Sequence, residues 1–206
     1  MWKKIVAIIL LSVLVILVIY NNFPSLFSNE VSNEPNMFDV TGDTSINGEY
    51  IVAPNKEMLK EGMQAPDFSL PSLHSDELVS LSSFSKEYIV LNFWATWCKP
   101  CTEEMPDLQK LKETYESKVD VIALNITSME SKVENIKKFI KDGNFTMDVL
   151  LDTDGQTYEQ YSVINVPSTF FIRKSDYTIV KRVNGMMTYD QMEDHLEGIF
   201  NENKSS

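Results

Sequence analysis

The stretch FWATWCKPC, Phe93–Cys101, holds the only two cysteines of this 206-residue chain. It continues an apolar run, YIVLNFWA (88–95), whose β-branched and aromatic residues are typical of a strand buried on both faces. Apolar residues then recur at spacings of three and four, which predicts a helix that begins at Cys98. The two cysteines are therefore expected where a buried strand ends and a helix begins.

Two cysteines at this spacing could form half of a zinc site, a structural disulfide or a redox centre. A structural zinc ion needs four nitrogen or sulfur ligands, and the two histidines, His74 and His195, are far from the pair and from each other in the sequence. A disulfide that closes a four-residue loop stabilises a fold by only about 2 kcal/mol. The pair is therefore predicted to carry redox chemistry.

The predicted position of the pair assigns a role to each thiol. Unpaired N–H groups at a helix N-terminus stabilise a thiolate, which is the reactive form of cysteine. Lys99 adds a cation beside Cys98, and Pro100 suits the first helical turn because it has no N–H to leave unpaired. Cys98 is predicted to attack a partner disulfide, and Cys101, one turn further on, is predicted to resolve the mixed disulfide.

The rest of the chain alternates between strand and helix patterns. Strands are predicted at 78–81, 119–126 and 148–152, helices at 131–143, 156–161 and 189–200, and an antiparallel hairpin at 168–175 and 178–185. This order predicts an α/β domain at residues 61–201, with a central mixed β-sheet flanked by helices on both faces.

The N-terminal region has a different composition. Lys3 and Lys4 precede an apolar run at residues 5–20, which as a helix would span roughly 24 Å of a bilayer. No small residues of a cleavage site follow it, so residues 1–22 are predicted to be a transmembrane signal anchor rather than a removed signal peptide. The lysines place the N-terminus in the cytoplasm and the remaining chain outside the cytoplasmic membrane.

Two polar segments complete the chain. Residues 23–60 are rich in Asn, Ser, Pro and Glu and are predicted to be a tether, and residues 202–206 a polar tail. The net charge of −12 argues against nucleic acid as a partner, because no basic patch is present to neutralise phosphates.

Four motifs together resemble the thioredoxin fold family: APDFSL (65–70), FWATWCKPC (93–101), EEMP (103–106) and VPSTFFI (166–172). With the predicted anchor, they are similar, more narrowly, to the TlpA/ResA-like thiol–disulfide oxidoreductases of the redoxin (AhpC/TSA) group, over about residues 61–200. The resemblance implies a thioredoxin-like fold with an N-terminal extension and the TlpA-like βα insertion between Cys101 and Pro167.

The resemblance also implies roles for residues outside the cysteine pair. Pro167 would follow a cis peptide bond, and the Val166–Pro167 loop would pack beside the cysteines and offer backbone groups to an extended peptide partner. Trp97 matches an aromatic position of the family.

Two positions bear on proton transfer. Asn92 stands where cytoplasmic thioredoxins carry a buried aspartate, and an amide cannot accept the proton of Cys101. Glu104 matches an acidic position of the ResA-like branch and lies one helical turn after Cys101, where a desolvated carboxylate would have a raised pKa. The hypothesis is that Glu104 tunes the thiols and moves protons. In the alternative it is a solvated helix acid, the role expected for Glu103.

These observations favour a protein thiol–disulfide oxidoreductase whose redox-active disulfide, Cys98–Cys101, needs no metal or cofactor. The resemblance implies that it reduces protein partners, for example apocytochrome c or spore-assembly proteins, with electrons from a membrane protein. A thiol peroxidase would have threonine three residues before the reactive cysteine, where this chain has Ala95. A Cu(I) metallochaperone of this fold typically uses a wider cysteine spacing and a dedicated histidine, and neither is evident.

Overall fold

The computed structural model describes Trp2, residues 58–75 and residues 77–204. Its strands are β1 (Ser69–Pro71), β2 (Leu78–Ser80), β3 (Tyr88–Trp94), β4 (Val119–Asn125), β5 (Asp148–Leu151), β6 (Ser168–Arg173) and β7 (Thr178–Asn184). Its helices are α1 (Lys99–Thr114), α2 (Val133–Asp142), α3 (Gln156–Gln160) and α4 (Tyr189–Lys204), with short 3₁₀ turns at Leu81–Ser83 and Thr127–Met129.

The central sheet has five strands in the order β5-β4-β3-β6-β7. Strand β3 is parallel to β4, and β4 is parallel to β5. Strands β6 and β7 run antiparallel to their neighbours. The mixed sheet predicted from the sequence is therefore confirmed, and strand β3, which leads into the cysteine pair, lies at its centre.

All seven residues of β3 are buried, because both faces of the sheet are covered. Ile89, Leu91 and Phe93 face one hydrophobic core, which the residues before β3 and the end of α3 complete. Val90 and Trp94 face a second core, to which α1, α2 and α4 contribute their apolar sides. Helices on both faces of the sheet are thus confirmed, and β3 is held rigidly where it delivers the chain to the site.

Three local features differ from the sequence-based expectation. The short strand β1 was not predicted, and it pairs antiparallel with β2 outside the central sheet. Helix α2 begins two residues later than the predicted 131–143 and ends at Asp142, with Gly143 as its C-cap residue. Helix α4 continues to Lys204, three residues into the segment predicted as a tail.

The chain joins the folded domain close to the predicted end of the tether. Leu59 and Ala65 are buried in the core, and the Gly62 N–H donates to the Ile179 carbonyl at 2.9 Å. Apart from Trp2, the predicted signal anchor lies outside the described residues, as does almost all of the tether. Among the helices that are described, none combines the length and the apolarity needed to cross a bilayer.

Candidate active site

Cys98 and Cys101 form a disulfide at the junction of β3 and α1, with an S–S distance of 2.07 Å and Cα atoms 5.3 Å apart. Cys98 is the N-cap residue of α1, and its Sγ accepts a hydrogen bond from the Cys101 N–H at 3.3 Å. Cys98 is 5% exposed and Cys101 1%. The pair therefore lies where the sequence predicts, and Cys98 is the more exposed of the two residues.

The Val166–Pro167 loop lies against the disulfide, and the bond between these residues is cis, as the resemblance implies. The Val166 carbonyl oxygen is 3.6 Å from Cys98 Sγ. The next carbonyl, that of Pro167, accepts a hydrogen bond from the Gly185 N–H at 2.8 Å. The loop is thus fixed beside the sulfur, with backbone groups close to any chain that approaches Cys98.

The residues beside Cys98 face solvent. Lys99 is exposed and pairs with Glu103 at 3.3 Å, so its cation is shared with that carboxylate. Pro100 occupies the first turn of α1. Trp97 is 56% exposed, and its indole N–H donates to the Met129 carbonyl at 3.1 Å.

Glu104 is fully buried, whereas Glu103 has a side chain that is 52% exposed. Glu104 Oε1 accepts a hydrogen bond from the Met187 N–H at 2.8 Å, and its Oε2 accepts one from Asn92 Nδ2 at 3.0 Å. Burial raises the pKa of Glu104 from 4.5 to about 7, because desolvation outweighs these two hydrogen bonds, and Asp107 adds to the rise. Glu104 is therefore a buried acid that changes charge near neutral pH.

Asn92 holds Glu104 from the centre of the sheet. Its Nδ2 also donates to Thr169 Oγ1 at 2.9 Å, across the β3–β6 pairing in which these two residues are opposite. The Asn92 Oδ1 atom is buried and has no hydrogen-bond partner among the described residues. Asn92 thus acts as a donor to the buried carboxylate.

Sequence reasoning missed two groups of this network. Met187 contributes through its backbone N–H, which no residue pattern reveals. Thr169 lies only two positions after the predicted site residues Val166 and Pro167. Its contact with Asn92, however, depends on the register between two strands. The antiparallel pairing of β3 and β6 was therefore the missing information.

Several exposed apolar residues belong to chain segments that contact the site. In the described part of the molecule, large apolar residues are exposed at seven positions, and four of these lie in segments that touch the site: Trp97, Met129, Ile164 and Met186. Ile164 precedes the Val166–Pro167 loop, and Met186 lies between the two residues that bond to Pro167 and Glu104. We call these four residues the apolar rim.

Known proteins are similar to this chain in sequence and in fold. The AhpC/TSA family matches residues 62–181. Thioredoxin-like protein YneN of Bacillus subtilis is 38% identical over 150 residues, covering 72% of this chain and 86% of that protein. Thiol-disulfide oxidoreductase ResA of Bacillus thuringiensis is 34% identical over 145 residues, covering 70% and 81%. The crystal structure of StoA from Bacillus subtilis covers 63% of this chain and 96% of that one, with a TM-score of 0.56 and 26% identity. The chain therefore belongs to the AhpC/TSA family, as a thioredoxin-fold thiol–disulfide oxidoreductase.

Proposed function

We propose that this enzyme reduces disulfides of polypeptide partners outside the cytoplasmic membrane, through Cys98 and Cys101. The observation that supports this most directly is the place of Cys98 at the N-cap of α1, where the Cys101 N–H points at its sulfur. That N–H and the helix dipole stabilise a thiolate when the disulfide is reduced.

The exchange proceeds in two balanced steps. The Cys98 thiolate attacks one sulfur of the partner disulfide, so that a Cys98–partner bond forms and the other partner sulfur leaves as a thiolate. Cys101, as a thiolate, then attacks Cys98 Sγ, and the second partner sulfur leaves. Two electrons have passed from the enzyme to the partner, which takes up two protons, and the enzyme ends in the disulfide form of the structure.

Glu104 is proposed to accept the proton of Cys101 before the second step. It lies one helical turn from Cys101, and its pKa of about 7 lets it take up or release a proton near neutrality. Asn92 and the Met187 N–H hold its two oxygens in place. Asn92 itself supplies only donors to this carboxylate, so its part is to orient Glu104.

The surroundings of Cys98 suit a polypeptide. The apolar rim offers contacts to the side chains on either side of a target cysteine, and the Val166–Pro167 backbone lies close enough to bond to an extended chain. Methionines at two of the four rim positions adapt to side chains of different shape. We propose protein disulfides as the substrates, with apocytochrome c or spore-assembly proteins as candidates.

The location and the direction of transfer are inferred from the sequence. Residues 5–20 would anchor the chain in the cytoplasmic membrane with the catalytic domain outside. Electrons would then be supplied by a membrane protein that carries them across the bilayer.

The roles of the two thiols are tested by trapping. Cys101→Ser should accumulate a mixed disulfide between Cys98 and a synthetic peptide that contains one disulfide, because the resolving thiol is missing. Cys98→Ser is the matched control and should trap nothing. Equal trapping by both variants would refute the assignment of Cys98 as the attacking thiol.

The direction of transfer is tested by the midpoint potential of the pair in thiol–disulfide buffers. A value near or below about −250 mV, the range of thioredoxin, is expected of a reductase. A value near about −120 mV would identify an oxidant that introduces disulfides and would overturn the proposed direction.

A further inference from the structure

Glu130 is an acidic residue that the chemistry described so far does not use. It follows the 3₁₀ turn Thr127–Met129, beyond the end of β4, and is half-buried. Its Oε1 accepts hydrogen bonds from the Thr96 N–H at 2.6 Å and from Asn125 Nδ2 at 3.1 Å. Its Oε2 accepts one from the Thr96 hydroxyl, also at 2.6 Å. All three donors are uncharged, so the carboxylate serves to hold polar groups of the chain in place.

The residue before Glu130 acts on the same segment. The Met129 carbonyl accepts the hydrogen bond of the Trp97 indole N–H. Two consecutive residues, 129 and 130, thus bind two consecutive residues, 96 and 97. The latter are the middle of a turn that the Cys98 N–H closes by donating to the Ala95 carbonyl at 3.2 Å.

The base of this turn is also fixed. The Trp94 carbonyl, at the end of β3, accepts the Ile126 N–H at 3.0 Å and lies 3.5 Å from Asn125 Nδ2. Asn125 is fully buried, and its Oδ1 accepts a hydrogen bond from the Thr127 hydroxyl at 3.0 Å. The loop after β4 therefore binds Trp94, Thr96 and Trp97, and Glu130 supplies both bonds to Thr96.

We propose that Glu130 is a positioning residue of thiol–disulfide exchange: through Thr96 it holds the turn that places Cys98 at the N-cap of α1. The inference rests on the proposed function only in that Cys98 is the attacking thiol. When the turn is held, Cys98 Sγ stays within reach of the Cys101 N–H, which favours the thiolate. When it is released, that hydrogen bond weakens and the thiolate is less populated.

Two substitutions separate this geometric role from the effect of charge. Glu130→Gln is neutral but keeps the shape: its Oε1 can accept the two N–H groups, and its Nε2 can donate to the Thr96 hydroxyl. Glu130→Ala removes the charge and all three hydrogen bonds. Loss of a negative charge alone favours the Cys98 thiolate, whereas loss of the turn disfavours it. Lys99, Glu103 and Glu104 are unchanged in both variants, so their influence cancels in the comparison.

The experiment measures iodoacetamide alkylation of Cys98 against pH, in the full-length reduced protein carrying Cys101→Ala, so that Cys98 is the only thiol. Glu130→Gln is expected to react within about twofold of the parent, because the hydrogen bonds are retained. Glu130→Ala is expected to react about tenfold more slowly than Glu130→Gln at pH 7, the rate equivalent of one hydrogen bond, and its profile should move to higher pH. Glu134→Ala, an exposed acid at the start of α2, is the matched control and should leave the profile unchanged.

Thr96→Val provides a second readout that does not depend on the folding of Glu130→Ala. It keeps the Thr96 N–H bond to Glu130 and removes only the hydroxyl bond. It should slow alkylation in the parent and should have less effect in Glu130→Gln, whose amide makes a weaker bond to the hydroxyl.

Three outcomes would overturn the proposal. If both Glu130 variants shift the profile to lower pH, Glu130 acts through its charge alone. If Glu130→Ala melts at a lower temperature but keeps the parent profile, its role is only structural. If Thr96→Val leaves the profile unchanged, Thr96 does not transmit the effect. Alkylation needs no protein partner, so these outcomes are independent of the trapping and potential measurements that test the proposed function.

Discussion

Replacement of Glu104 by glutamine is expected to remove a pH-dependent loss of stability from this protein. Burial raises the pKa of Glu104 from 4.5 to about 7. The folded protein therefore holds this proton more tightly than the unfolded chain does. The contribution of this tighter proton binding to the free energy of unfolding is fully present below pH 4.5. It is lost as the pH rises towards 7, because the buried carboxylate must then be charged in the folded state.

The size of the effect follows from the pKa. Each unit of difference between the pKa of Glu104 in the unfolded chain and its pKa in the folded protein corresponds to about 1.4 kcal/mol. The rise from 4.5 to about 7 therefore corresponds to a loss of about 3 kcal/mol. Glutamine has no charge to bury, and its oxygen can still accept the Met187 N–H. Its Nε2 faces Asn92, whose unpaired Oδ1 becomes an acceptor if that amide rotates.

The assay is urea unfolding of the oxidised protein at several pH values from 4.5 to 8. The free energy of unfolding of Glu104→Gln minus that of the wild type should increase by about 3 kcal/mol across this range. Glu103→Gln is the matched control, since this exposed neighbour pairs with exposed Lys99 and should show little change. If the wild type and Glu104→Gln keep a constant difference at all pH values, the buried carboxyl does not titrate in this range and its proposed role in proton transfer fails.

Two further predictions concern the apolar rim and the support of α3. Ile164→Ser and Met186→Ser should each raise the KM for a disulfide-bonded peptide several-fold, because apolar contact area is lost. Neither should change the rate with oxidised glutathione, which is too small to cover the rim. Equal losses with both substrates would contradict a polypeptide site. Asp152→Ala should destabilise the protein by about 1–2 kcal/mol in urea unfolding, because this buried carboxylate accepts the N–H groups of Thr157 and Tyr158 at the start of α3. Asp154→Ala, which removes one exposed bond to the Gln156 N–H, should have a smaller effect, and a larger one would refute the assignment.

The sequence predicted the central sheet because its strands have strong signals. Strand β3 is a continuous apolar run, and a strand covered on both faces requires such a run. Strand β1 has three residues, one of them proline, and only Leu70 among them is buried. Its strand geometry comes from pairing with β2, which no local pattern encodes.

The same distinction holds within the site. Cys98, Cys101 and Glu104 could be predicted together from the sequence because they are spaced three residues apart at the start of one helix, where such positions lie on the same side. Met187, one of the two partners of Glu104, was not found, because it is 83 residues away and contributes a backbone group. Glu130 is 34 residues from Thr96 and was missed because no local pattern links positions so far apart. Contacts that depend on how loops meet across the sheet cannot be predicted from local sequence patterns and are seen only in the three-dimensional structure.

The Asn92–Glu104 contact gives a physical reason for the amide on β3. Asn92 Nδ2 lies 3.0 Å from Glu104 Oε2. An aspartate in its place would bring two carboxylates together at this distance in a buried site, and one of them would have to hold a proton at neutral pH. With asparagine on the strand, the titrating acid of the pair is on α1, the helix that also carries Cys101. Any movement of the first turns of α1 during exchange would then carry the resolving thiol and its proposed proton acceptor together, so that their spacing is kept by the helix itself.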